Sequence, residues 1–226
     1  MENRKRGAFY WDRPLLSIIR FPFYYFFAMP ILFIFNSLFF GLKIEGREYL
    51  RGLKKGVFLC NHIHYLDCTM LDLAVFPRQI IFASQKSNFR LPLAGLILRI
   101  AGCLPVGDNL HEIRKYTRVA IHKAHHGVWL GIYPEGNLCL YNHTLQPFKK
   151  GAFFIAYQAQ VPIIPVVIIP RPPKEWLRRI RKRPFFTLKI IPPLTIRAEL
   201  EQKDAIEELR SQAFLNMAAY LSEQET

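Results

Sequence analysis

The chain has 226 residues, 51% of them hydrophobic, enough for one domain with a full core and too few for two large ones. Its 31 Lys and Arg against 17 Asp and Glu leave a formal charge of +14, an excess that draws phosphates, anionic lipid headgroups, acidic carrier proteins or nucleic acid without choosing among them. Cys60, Cys68, Cys103 and Cys139 form no C-x-x-C pair and no evenly spaced framework, which points away from a disulfide-stapled secreted domain and toward a reducing compartment.

The first element is the informative departure from a soluble protein. Phe21 to Leu42 runs for 22 residues without a charged side chain and is rich in Phe, Ile, Leu and Tyr. As a straight helix it reaches about 33 Å, enough to span a hydrocarbon core, but Pro22 and Pro30 interrupt it, so a kink or a helical hairpin fits as well as a single span. Five basic residues stand before it (Arg4, Lys5, Arg6, Arg13, Arg20) and five after it (Lys43, Arg47, Arg51, Lys54, Lys55). Equal flanks give no orientation, and the simplest reading puts both ends on the cytoplasmic face of the cell membrane. The run starts too late, and lacks the small-residue site, for a cleaved leader. Residues 1–43 are therefore expected to be a membrane-associated helical segment and residues 44–226 the catalytic domain.

From there short apolar runs alternate with helical patterns, the signature of an α/β domain with a single, largely parallel sheet flanked by helices. Strands are expected at Val57 to Cys60, Ile80 to Ser84, Val128 to Tyr133, Ile163 to Ile169 and Phe186 to Ile191. Helices are expected at Cys68 to Val75, Pro92 to Ile100, His111 to Ala124, Ala152 to Gln160 and Glu199 to Leu221. Ligands bind such sheets beyond the carboxyl ends of the strands, which directs attention to the loops Asn61 to Asp67 and Pro134 to Asn137.

The first of these loops reads Asn61-His62-Ile63-His64-Tyr65-Leu66-Asp67, a strand-to-helix turn on which His62 and Asp67 can meet. An imidazole oriented by a carboxylate is a general base, a role worth roughly 10² to 10⁴ in rate. Asp67 as a plain helix cap, with His62 a hydrogen-bonded loop residue, explains this segment equally well. A third reading takes His62 and His64 as an H-x-H metal pair of a hydrolase, but such enzymes usually place the Asp closer and add a further His, and no metal ligand set is read here.

The second loop, Tyr133-Pro134-Glu135-Gly136-Asn137, also follows an apolar strand and is followed by Pro147-Phe148-Lys149-Lys150-Gly151. The pairing of N-H-x4-D with a downstream [FY]-P-E-G resembles the glycerolipid acyltransferase family that includes 1-acylglycerol-3-phosphate acyltransferases. The resemblance covers roughly Gly46 to Ile169, with Lys86, Pro92 and Gly95 matching one further block and Val161-Pro162-Ile163-Ile164-Pro165-Val166 another. It implies a glycerol-3-phosphate acyltransferase-like fold, His62 as general base, Asp67 as its orienting partner, and Glu135, Gly136 and Asn137 in the acceptor site. The reaction it implies is direct attack of an acceptor hydroxyl on a thioester, with lysophosphatidic acid as acceptor, acyl-CoA or acyl-carrier protein as co-substrate, no other cofactor, and phospholipid biosynthesis as the setting.

The chain departs from that family where arginines usually stand. The corresponding stretches read Leu104-Pro105-Val106-Gly107-Asp108 and Glu135-Gly136-Asn137-Leu138, so a phosphate would have to be met by Lys86, Lys149 and Lys150, or by Arg114 and Lys115, or the headgroup differs. Arg171 to Arg183 holds seven basic residues against one acid, with Trp176, Leu177 and Ile180 among them, a composition that suits an anionic membrane surface, a carrier protein or the phosphates of coenzyme A. The membrane's lipids are an expected partner. Nucleic acid is not, because the positive charge comes with no nucleic-acid-binding motif.

Overall fold

A computed structural model describes residues 22–173, 175–179, 182–197 and 199–222. The basic residues expected to precede the apolar run, Arg4 to Arg20, lie outside the described residues, as do Phe21, Lys174, Ile180 and Arg181.

The apolar run enters as a π-helical stretch, Phe23–Ala28, that passes into helix α1, Met29–Phe39. Pro30 sits in the first turn of α1, directly after the π-helical stretch in which Met29 N donates to Tyr24 O, the kind of local adjustment that accommodates a proline inside a helical run. No helix among the described residues is long and apolar enough to cross a membrane. The helix is inverted relative to a soluble one: Phe26, Phe27, Ile31, Phe33, Ile34, Leu38 and Phe39 are exposed while Asn36 is fully buried. Asn36 Nδ2 donates to Leu32 O at 2.8 Å and approaches Thr69 Oγ1 at 3.3 Å, a polar link that fixes α1 to the helix behind the His62 turn.

Seven strands follow: β1 (Lys43–Glu45), β2 (Val57–Cys60), β3 (Ile80–Gln85), β4 (Leu104–Val106), β5 (Trp129–Ile132), β6 (Ile163–Arg171) and β7 (Phe185–Ile190). They form one sheet in the order β1-β7-β6-β2-β5-β3-β4. The block β6-β2-β5-β3-β4 is parallel throughout, and β7 runs antiparallel to β6 with β1 parallel to β7. The five expected strands are all present within one or two residues. The two additional ones, β1 and β4, have three residues each, too few for a periodic signal, and both are edge strands, where Pro105 is tolerated because one side needs no ladder bond.

The helices are α2 (Asp67–Val75), α3 (Pro92–Ala101), α4 (Leu110–His125), α5 (Gly151–Ala159), α6 (Glu175–Arg178) and α7 (Gln202–Ser222), of which α2, α4, α5 and α7 pack on the sheet. Because side chains alternate along a strand, Val57 and Leu59 point into a core with α4, α5 and α7, and Phe58 and Cys60 into a second core under α2 with Met70, Leu71 and Phe186. Parallel strands covered on both faces must be apolar on both, which is why β2 and nearly all of β6 are buried. Val57 N donates to Pro162 O at 2.9 Å and Pro165 pairs with Leu59, so both prolines serve the strand, as their sequence context suggests.

The crossovers leave the carboxyl ends of the two central neighbours, β2 and β5, side by side at one edge of the domain, and the two motif loops leave from there. At the β1–β7 side, Gly46 has φ +81°, and a Cβ added there would strike the carbonyl oxygen of Ile190. Gly46→Ala is therefore expected to cost at least about 2 kcal/mol, a fall in Tm of roughly 4–8 °C. Gly52→Ala, at φ +77° with open space around it, is expected to cost only about 1 kcal/mol. Thermal unfolding of the two variants side by side separates the clash from the backbone strain.

Candidate active site

Asn61 ends β2 and decides where the next residue points. Its buried side-chain amide accepts from Ile168 N at 2.7 Å and donates to Ile168 O at 2.9 Å, standing in for a peptide group and holding the chain against β6 for one further step. The chain then turns sharply into α2. At the first position of that helix the carboxylate of Asp67, 0% exposed, accepts three hydrogen bonds on one oxygen: from Ile63 N at 2.9 Å, His64 N at 3.0 Å and His62 Nδ1 at 3.0 Å. An oxygen that already accepts from two backbone N–H groups acts toward the imidazole as an acceptor too, so Nδ1 is the nitrogen that donates. His62 Nε2 is left as the acceptor, on a ring that remains 24% exposed.

The second loop completes the cradle. The Tyr133 ring stacks on the His62 imidazole, with centroids 4.0 Å apart and planes at 17°, fixing the ring's plane while Asp67 fixes its rotation. Glu135, 4% exposed, accepts from His62 N through one oxygen and from Gln146 N through the other, each at 3.3 Å. Burial pushes its carboxyl above the ordinary glutamate range, against the pull of those two N–H groups. Sequence reasoning puts Glu135 in the acceptor site; in the structure each of its carboxylate oxygens accepts from a backbone N–H, and the side chain holds the two motif loops together. Cys139 N and Tyr141 N donate to His62 O and Ile63 O at 3.0 and 2.9 Å, seaming the loops further along.

The predicted cations divide. Lys149 lies across Gly136, where a Cβ would collide with its side chain, and it has no ion-pair partner among the described residues. Lys150 points away, pairing with Glu207 of α7 at 3.1 Å, and Lys86 is paired with Glu112 of α4. Of the three lysines Lys149 is the one with no ion pair among the described residues. Asn137 is exposed at the rim, and Arg114 and Lys115 are exposed on α4.

His64 is held differently from His62. Its Nδ1 accepts from Leu66 N at 3.1 Å, its ring packs edge-on against Phe40 at 4.9 Å, and burial holds its pKa below the ordinary histidine value. No group of three or more His, Cys, Asp or Glu among the described residues is placed to hold a metal ion. The nearby thiols of Cys60 and Cys68 are pushed up by burial and then by neighbouring negative charge, so neither is a ready nucleophile. The Asn61 clamp and the Tyr133 stack were missed in the sequence although both residues lie in the motifs; their roles require partners on other strands.

The family model described as Acyltransferase matches residues 41–169, more than half of the chain. The chain belongs to the acyltransferase family. Over 133 residues it is 33% identical to human 1-acyl-sn-glycerol-3-phosphate acyltransferase beta, covering 57% of this chain and 47% of that one. The Saccharomyces cerevisiae 1-acyl-sn-glycerol-3-phosphate acyltransferase is 30% identical over 56% of this chain and 42% of its own, and the Haemophilus influenzae protein of that name 29% over 57% and 54%. The chain thus spans about half the length of the curated relatives it matches. The crystal structure of the lysophosphatidic acid acyltransferase PlsC from Thermotoga maritima shares the fold, with a TM-score of 0.66 at 21% identity over 94% of this acyltransferase and 88% of that chain.

The bridging role of Glu135 has a direct test. Glu135→Gln keeps one accepting oxygen but turns an amide N–H₂ toward the second N–H donor, and is expected to cost about 1–3 kcal/mol in urea unfolding. In the folded acyltransferase Glu135 titrates above its unfolded value. Between the two values the folded state holds an extra proton, so acidification through that window relieves the cost of the buried charge, which is fully present above the folded value. The stability of the wild type relative to Glu135→Gln is therefore expected to rise as pH falls through the window and to be flat above it.

Proposed function

We propose that this acyltransferase moves a fatty acyl chain from a thioester donor, acyl-CoA or acyl-carrier protein, to the free hydroxyl of a lysophospholipid, with 1-acyl-sn-glycerol-3-phosphate as the acceptor and phosphatidic acid as the product. The observation that carries this is the His62 ring, held at Nδ1 by a buried carboxylate with Nε2 open at a site where Lys149 supplies an unpaired positive charge. Nε2 takes the acceptor's hydroxyl proton and the oxygen adds to the thioester carbonyl. Asp67 stabilises the imidazolium that results. Collapse of the tetrahedral intermediate breaks the carbon–sulfur bond, and the imidazolium returns the proton to the departing thiolate. The names of the relatives support the acceptor and the product.

Two surfaces support work at a membrane. One is the inverted apolar face of α1, which includes Phe33 and Leu38; the other is the exposed ridge of Leu93, Leu96 and Ile97 on α3. Contiguous exposed apolar residues flanked by cations suit the interfacial region of an anionic leaflet, with the catalytic domain facing the cytoplasm.

The deciding experiment is purified protein in detergent given a panel of lysolipid acceptors with both donor types, and mass spectrometry of the products. His62→Ala is expected to lower turnover by about 10³ or more without unfolding the protein, and Asp67→Asn by less. Retention of more than about a tenth of the activity by His62→Ala rules out its role as base.

A phosphate held by a Lys point charge instead of a bidentate Arg binds more loosely and with more dependence on salt, so the acceptor range is expected to be wide. Lys149→Ala should raise the KM for lysophosphatidic acid more than that for a neutral lysolipid, while Lys150→Ala, already paired, should leave both nearly unchanged. Full rate on neutral acceptors, none on lysophosphatidic acid and indifference to Lys149 together overturn the phosphate reading. Flotation with anionic vesicles tests the surface: Phe33→Ser with Leu38→Ser is expected to reduce binding severalfold.

A further inference from the structure

A cavity outside the His62 turn is lined by cations. It opens where β6 and β7 meet the loop after Asn137, has a volume of about 430 Å³, and presents Tyr141, His143, Arg171, Lys182 and Arg183. The other lining residues are Pro170, Pro172 and Pro184, rigid rings with no side-chain freedom to lose. No acidic side chain is among the described residues that line it. Arg171 is fixed as part of the wall, donating to the carbonyl oxygens of Gly41 and Phe186 with its guanidinium 5.5 Å from the Phe185 ring centre. A concave space of this size takes part of a small molecule, and closely set Arg and Lys select phosphate groups.

The place of the cavity indicates which phosphates. In the sheet β2 stands between β5 and β6. His62 leans toward the β5 side, where it stacks on Tyr133 and where Lys149 crosses Gly136. His64 leans the other way, its ring 5.6 Å from Phe186 of β7 and 5.9 Å from Tyr141, and the cavity lies beyond those rings. An acceptor phosphate, one glycerol carbon away from the reacting hydroxyl, must stay near Nε2, on the Lys149 side. The phosphates of coenzyme A sit at the far end of a long flexible arm and can occupy the opposite flank while the thioester stays at His62. Tyr141 joins the two places through its N–H bond to Ile63 O at 2.9 Å.

We infer that this cavity holds the phosphorylated nucleotide end of a coenzyme A thioester, with Lys182 and Arg183 as its phosphate ligands and Tyr141 and His143 as its rim. The inference rests on the acyl-transfer reading above and assigns its donor. A carrier protein presents an acidic surface and one phosphodiester, a partner for an extended basic face; a recess lined by Arg171, Lys182 and Arg183 suits the clustered phosphates of a nucleotide.

The probe is adenosine 3′,5′-bisphosphate, titrated calorimetrically into the wild type, Lys182→Ala with Arg183→Ala, Lys182→Ala alone, and Lys203→Ala as a control for loss of one exposed charge on α7. Wild type and Lys203→Ala are expected to bind alike and the double variant at least about tenfold more weakly. In turnover the double variant should raise the KM for acyl-CoA about tenfold and move that for lysophosphatidic acid less than about twofold. Lys182→Ala, which removes an exposed side chain, keeps the test open if the double variant does not fold. Absence of nucleotide binding by the wild type, undiminished binding by the variants, a KM rise confined to the acceptor, or one confined to acyl-carrier protein overturns the inference. The titration needs neither acceptor nor turnover. A protein that binds the nucleotide through Lys182 and Arg183 yet acylates no lysolipid keeps this cavity and loses the proposed reaction.

Discussion

The buried carboxylate of Asp67 is the constraint on which the site depends. Three donors converge on one of its oxygens, while the other, Oδ1, is buried without a hydrogen-bond partner among the described residues. Burying an anion is costly unless its hydrogen bonds are made, and a plain helix cap would remain half in water. The arrangement gives up stability to do three things at once: shape the turn from β2 into α2, choose the tautomer of His62, and keep a negative charge behind the ring when it takes a proton. The plain helix cap, one of the sequence's alternatives, is not what forms: Leu66 is the N-cap of α2, with no side-chain cap bond, and the donors to Asp67 all come from the loop before the helix.

Around that carboxylate the domain is tied together by backbone mimicry. Asn61 replaces a strand partner for Ile168, and Glu135 replaces one between His62 and Gln146. Both are buried polar side chains whose bonds are satisfied, which in a low-dielectric interior makes them rigid and specific. The loops bearing the chemistry are thereby held nearly as firmly as the strands they leave, and the imidazole is confined in rotation by Asp67 and in plane by Tyr133. Such preorganisation lowers the cost of reaching the reactive geometry.

The positive charge is distributed just as specifically. Lys86 and Lys150 stand in exposed ion pairs with Glu112 and Glu207, Arg171 is spent on carbonyl groups, and Lys149, beside Gly136, has no ion-pair partner among the described residues. On the opposite flank the cations of the cavity lie beside one another without a lining acid. An excess of +14 carries no such information, because it does not say where in the fold the cations collect.

The sequence by itself determined the layering and brought His62 and Asp67 to one turn. Apolar runs of strand length alternating with helical periods gave the parallel sheet and five of its strands, because burial on both faces leaves an unambiguous pattern, and the spacing of His62 and Asp67 placed base and carboxylate on one turn. The edge strands β1 and β4 were illegible, being too short and half exposed to carry a period. The inverted face of α1 was also hidden, since a uniformly apolar run does not say which side is covered; the contact between Asn36 and Thr69 decides that. Most of all, the sequence could not assign Glu135, Lys149 and Lys150 their separate roles. Their neighbours His62, Gly136 and Glu207 come together only when β2, β5 and α7 are packed, and the direction of a charged side chain is set by what it meets in space, not by its place in a motif.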